Sequence, residues 1–285
     1  MYQVSFSGCW AKVNRAKQHR DALEGYISET FSVKSNLPTL GAKFDTESGE
    51  HIVYINRITD LGPFFDNVAV FVGDVVHNLR CALDHLAFQL ALYHRDGSLT
   101  PQQERAVQFP ISDSEEKFRK KRDRYLGYIA PEHRTIIEGL QPYHGLAGRP
   151  DSWSGPYIHQ LALLRNLSDT DKHRMLTPIL AVPWSSEFFS PAGDDNLSMI
   201  INQGLNQHVK SLMSGQPLHL GGDHLKVGTI ILRATIPERI LEHEVDMAGY
   251  VTSMIHLADG RPLVPTLDRL ADFVVYVLRQ FEPLF

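Results

Sequence analysis

Apolar residues recur along this chain with two different periods. Trp10, Val13, Ala16, Leu23 and Ile27 fall at helical spacing, with Lys, Arg and Glu between them, and predict a helix over residues 8–31. Ala42–Phe44 and His51–Ile55 flank the polar stretch 45–49, which ends in Gly49, and predict a β-hairpin. A long helix is expected from about Phe65 to Leu92, then a loop from Asp96 to Gln108. Phe109-Pro110-Ile111 re-enters structure. Ser112 and Asp113 ahead of Glu115 and Glu116 mark a helix start, and Pro131 opens a helix that Pro142 stops. A further helix is read from Pro156 to Leu167, with the polar run Asp169–Arg174 following it. Beyond residue 175, strands are expected at 175–182, 197–202, 224–236 and 250–257. A last helix after Pro265-Thr266 buries Leu267, Leu270, Val274, Val277, Leu278 and Phe281.

The fold class predicted is α+β. Residues 1–174 are read as mainly helical, a bundle with a β-hairpin. Residues 175–262 are β-rich, in an antiparallel sheet region, and residues 263–285 form a closing helix that packs back.

The helix over 65–92 carries the clearest chemistry. At about 100° per residue, Val68, Phe71, Val72, Val75, Val76, Leu79, Ala82, Leu83, Leu86 and Leu90 share one arc. Asp74, His77, Asn78, Arg80, Cys81, Asp84, His85 and Phe88 share the other. A wet helix face is usually built from Lys and Glu, which favour helices. This face has neither between Phe71 and Leu92; its His, Asn, Asp, Arg and Cys are poorer helix formers suited to directed hydrogen bonds. The expectation is a polar face turned toward a cleft or a partner, with Arg80 and Asp84 paired at i,i+4. The bland alternative is a solvated face with a structural ion pair. A second polar cluster, Arg165–Arg174, contains Asp171, His173 and Arg174, and would complete the site if it packed against that face.

Composition narrows the function. The net charge is −5, which argues against broad electrostatic grip on long nucleic acid and leaves room for a local RNA contact. Neither a Gly-rich phosphate loop nor a Gly-x-Ser-x-Gly elbow is present. The start of the chain lacks the basic and apolar regions of a signal peptide, and no apolar run is long enough to span a membrane, so a cytoplasmic protein without membrane contact is expected. The cysteines, Cys9 and Cys81, do not suggest a disulfide framework.

Four segments in order, Gly73–Leu86, Phe109–Ile111, Ile136–Tyr143 and Asn166–Arg174, resemble a signature of many bacterial proteins without established activity. That resemblance spans about residues 10–180. Arg80-Cys81-Ala82-Leu83-Asp84-His85 is also similar to the Arg-x4-His motif of HEPN-type helical ribonucleases, which often work as dimers. That resemblance implies a metal-independent ribonuclease, or an inactive relative, acting on RNA phosphodiesters as a homodimer. Arg80 would hold the scissile phosphate and His85 would serve as general acid or base. Asp84, His77 and Asn78 would complete the catalytic set, with Asp74, Asp171, His173 and Arg174 supporting it and no cofactor. Cys81 departs from the small polar residue that often follows the Arg, and the β-rich C-terminal third lies outside a minimal HEPN bundle. Two other readings stay open. One is a non-enzymatic ligand-binding or assembly protein. The other is a hydrolase holding a divalent metal on His77, His85, Asp171 and His173.

Overall fold

The computed structural model describes residues 2–36, 39–145, 159–173, 178–180, 227–228, 230–235, 243–246, 255–257, 259 and 261–285. The chain is α+β. Its helices are α1 (Ser7–Ser32), α2 (Phe64–His94), α3 (Pro101–Ala106), α4 (Glu115–Leu126), α5 (Pro131–Gly139), α6 (Gln160–His173) and α7 (Leu263–Arg279). Its strands are β1 (Thr39–Asp45), β2 (Glu50–Arg57), β3 (Pro178–Leu180), β4 (Ile230–Ala234), β5 (His243–Asp246) and β6 (Ile255–Leu257).

Two compact units divide the chain, and both are discontinuous in sequence. The first takes residues 1–23, 68–176 and 265–285; the second takes 24–67 and 177–264. The boundaries therefore cut across residues 1–174 and fall within α1, α2 and α7.

In the second unit, β1 and β2 form the expected hairpin. Asp45 closes its turn by accepting hydrogen bonds from Glu47 N at 3.1 Å and Ser48 Oγ at 2.9 Å, while Gly49 takes a positive φ of 71° that suits glycine. These bonds hold the exposed Asp45 carboxyl below its ordinary value, the Glu47 amide being the main cause. The hairpin is the centre of an antiparallel sheet in the order β4-β2-β1-β5. Gly41 faces Tyr54 across the hairpin, and a Cβ there would lie 2.5 Å from the ring, so glycine lets the ring lie against the β1 backbone. A second antiparallel pair joins β3 and β6. Phe64 anchors an aromatic cluster with Tyr26, Phe31 and Phe65, at centroid distances of 5.5, 5.3 and 5.1 Å.

The first unit is helical. The apolar arc of α2 is its spine: Val72, Val75, Val76, Leu79, Leu83, Leu86 and Leu90 are all buried. The predicted stripe of α7 is buried too, from Leu267 through Phe281. Arg20 of α1 forms a bidentate ion pair with Asp268 of α7 at 2.7 and 2.8 Å, and Trp10 Nε1 donates to Glu282 at 2.6 Å. The two cysteines are free, and burial pushes the Cys9 thiol up to about 12, which makes it a packing residue.

Several expectations need correction. The stretch read as a loop over 96–108 contains α3. Thr100 caps it and exchanges hydrogen bonds with Gln103, and Pro101 occupies the first turn. Helix α4 starts at Glu115, and its N-cap is Ser114, one residue after Asp113, with the Ser114 side chain accepting from Lys117 N. Helix α6 does not stop at Leu167 but runs to His173, so the second polar cluster sits on the helix rather than after it. Helix α7 begins at Leu263, with Pro265 inside its first turn, where no intrahelical N–H is required. The proposed strand at 197–202 and the α6 start at Pro156 lie outside the described residues. No helix among the described residues is long and apolar enough to cross a membrane.

His133 is buried on α5 among Tyr93, Phe281 and Phe285, with ring centroids 6.1, 6.3 and 5.2 Å away. Its Nδ1 has no hydrogen-bond partner among the described residues. Burial holds its pKa below the usual imidazole value; nearby His94 acts the same way and Glu132 opposes them. The folded state therefore prefers neutral His133. Its contribution is present above the unfolded-state value of about 6.5 and is lost as the pH falls through the lowered folded value. In thermal melts, His133→Phe is expected to flatten the fall in Tm between about pH 7 and about pH 5 relative to wild type. An unchanged slope would show that His133 does not carry that dependence.

Candidate functional site

Residues 109–112 run extended and buried through the first unit, so their backbone polar groups need partners. Three side chains supply them. Asp84 of α2 accepts from Phe109 N at 2.9 Å, and Arg80, one turn earlier, donates to the Phe109 carbonyl. Arg80 and Asp84 are themselves joined at 3.1 Å. On the other side, buried Gln141 donates to the Pro110 and Ile137 carbonyls and accepts from Ser112 N, each at 3.0 Å. Three of the four sequence segments that stand out thus meet in one hydrogen-bonded strap.

Above this strap lies an open cleft of about 180 Å³. It is lined by Arg80 and residues 108–111, by Lys121 and Tyr125 of α4, and by Arg165, Ser168, Asp169 and Lys172 of α6. Two of its four cations are already balanced: Arg80 by Asp84, and Arg165 by Asp113 at 2.8 Å. Lys121 and Lys172 make no ion pair among the described residues, and Asp169 is the acid in the lining. Elsewhere on α4, Arg119 pairs with Glu115 and Lys120 with Glu116, both exposed i,i+4 pairs of little energetic weight.

The polar face of α2 divides among three surroundings. Arg80 and Asp84 are half-buried beneath the strap. Asn78 is buried and donates to the Asp74 carbonyl at 2.8 Å, a local helix contact. Asp74 lies 3.7 Å from His19 of α1. His77 and His85 are exposed. His77 Nε2 is 3.5 Å from Cys81 Sγ, and the Nδ1 of His85 lies beside Gly8 of α1, 2.9 Å from where a Cβ would stand. Arg80 and His85 are therefore directed at different neighbours within one chain.

Asp171 of α6 packs on Gly73 of α2; a Cβ on Gly73 would meet its carboxylate, so glycine permits the close approach of the two helices. The two polar clusters do come together, through Arg80 with Asp169 and Lys172, and through Gly73 with Asp171. Arg174 and the side chain of His173 lie outside what the structure describes. Burial raises the pKa of Cys81, with nearby Lys12 opposing, so this half-buried thiol is not an activated nucleophile. Among the described residues, no three His, Cys, Asp or Glu side chains converge as metal ligands.

The cleft residues not expected from sequence include Tyr125 and Gln108. Gln141, which ties the strap from below, was not expected either. No protein-family model, curated protein or solved structure matches the chain.

Gln141→Leu would leave two buried carbonyls and the Ser112 N–H without partners. Part of that loss is recovered by relaxation, and the net cost expected is about 3 kcal/mol in urea unfolding. A cost below about 0.5 kcal/mol, the range of ordinary surface substitutions, would show that the strap is held by other contacts.

Proposed function

We propose that this chain is an inactive HEPN-like relative that binds RNA phosphodiesters without cleaving them. The observation that carries the reading is the cleft over the strap, which Lys121 of α4 and Lys172 of α6 both line and where no described acid pairs with either. A phosphate seated between them would receive two ammonium groups, with the strap-bound Arg80 beneath.

The size of the cleft supports a polymer over a compact cofactor. About 180 Å³ is less than the volume that usually encloses a drug-sized ligand, about 300 Å³ or more. It accommodates one phosphate and part of its neighbour, while the remaining strand stays in solvent. A net charge of −5 fits such a local contact.

The arrangement of Arg80 favours binding over catalysis. In a metal-independent ribonuclease the guanidinium must follow charge developing on the phosphate, and the imidazole must reach the attacking or leaving oxygen. Here Arg80 is engaged by Asp84 and Phe109, and His85 rests against α1. A nuclease reading is supported by the exposure of His77 and His85, which a second copy in a homodimer could complete.

Fluorescence anisotropy with labelled single-stranded RNA tests the proposal. Lys121→Ala combined with Lys172→Ala is expected to weaken binding about ten-fold or more and to reduce the slope of log affinity against log salt by about 1–2. RNA incubated with the protein in EDTA should stay intact. Cleavage in EDTA that disappears in His85→Ala would replace this proposal with the ribonuclease. Wild-type affinity in the double-lysine variant would remove the cleft from RNA binding.

A further inference from the structure

We infer that Tyr125 is a base-stacking residue, so that the cleft selects single-stranded nucleic acid carrying an unpaired base over phosphate esters in general; this rests on the RNA-binding reading above. Tyr125 and Lys121 are i,i+4 neighbours on α4. The Tyr125 ring is only half-buried, although it adjoins the buried Leu126. Tyr125 and Lys121 thus line the cleft one helical turn apart. The Arg124 guanidinium lies over the ring, 5.4 Å from its centroid, an arrangement that steadies the ring and adds positive charge to it.

One nucleotide has a phosphate and a flat, apolar, polarisable base a few ångströms apart. The cleft offers both kinds of partner: ammonium groups on Lys121 and Lys172, and the aromatic ring of Tyr125. Inorganic phosphate or a sugar phosphate would use the lysines and leave the ring uncovered. A base inside a duplex has both faces covered by its neighbours and cannot reach the ring, whereas an unpaired base can. The exposed side chain of Gln108 and the Asp169 carboxylate lie in the same cleft and can accept or donate hydrogen bonds at a base edge.

The experiment uses the full chain and two fluorescein-labelled probes of equal length, oligouridylate and an abasic ribose-phosphate oligomer. Tyr125→Leu is expected to weaken oligouridylate binding about ten-fold, to leave the abasic probe bound as in wild type, and to lose nothing when Phe replaces Leu. Retained binding of the abasic probe also reports that the variant is folded. If Tyr125→Leu binds both probes as wild type does, the stacking role is overturned while the cleft reading stands on the lysine variants. Equal loss on both probes overturns it as well, since the ring would then be supporting the phosphate site. If wild type binds neither probe, the RNA-binding reading itself fails and the stacking role with it.

Discussion

An extended segment buried inside a helical unit cannot form a sheet ladder, yet its amides and carbonyls have lost water. Residues 109–112 meet that constraint through side chains: Asp84 and Arg80 from α2, and Gln141 just beyond α5. The ion pair of Arg80 with Asp84 is only part of the arrangement. An unpaired carboxylate or guanidinium at this depth would be costly, and each charge is instead met by both its partner and the Phe109 backbone. The strap ties residues 109–112, three of which line the cleft, to α2 and to the end of α5, so the shape of the cleft depends on these few bonds.

This arrangement also explains why Arg80 reads as functional in sequence and as structural in space. Arg at i and Asp at i+4 on one helix face are consistent with a phosphate site and with a backbone clamp alike. The difference is made by a carbonyl contributed from a segment 29 residues later, and no local pattern encodes that partner. The binding groups of the proposed function are instead Lys121 and Lys172, each of which belongs to a polar run with abundant ordinary reasons to be solvated.

Periodicity made α1, α2 and α7 legible almost to their ends, because each buries a continuous apolar stripe. The β1–β2 hairpin was equally clear from its turn chemistry. Accessibility within the polar face of α2 was not legible: Asn78 is buried, His77 and His85 are exposed, and the wheel places all three on one arc. The run Asp169–His173 looked like a terminus since Asp and Thr are poor helix formers, but buried Leu164, Leu167 and Ser168 hold that side of α6 in place. Tyr125 carried no signal in sequence beyond being an aromatic next to a basic run.

The interleaving of the two units has a consequence for how the chain reaches its native state. Each unit draws strands or helices from segments far apart in sequence, as in the pairing of β1 with β5 and of Arg20 with Asp268. Such long-range contacts require large loops to close before they stabilise anything, which slows assembly. Neither unit can be cut out as a single stretch of polypeptide. Fragments that end before α7 would lack its buried apolar stripe and the Asp268 partner of Arg20, and would leave apolar surface of the first unit uncovered, an invitation to self-association while the chain is still incomplete.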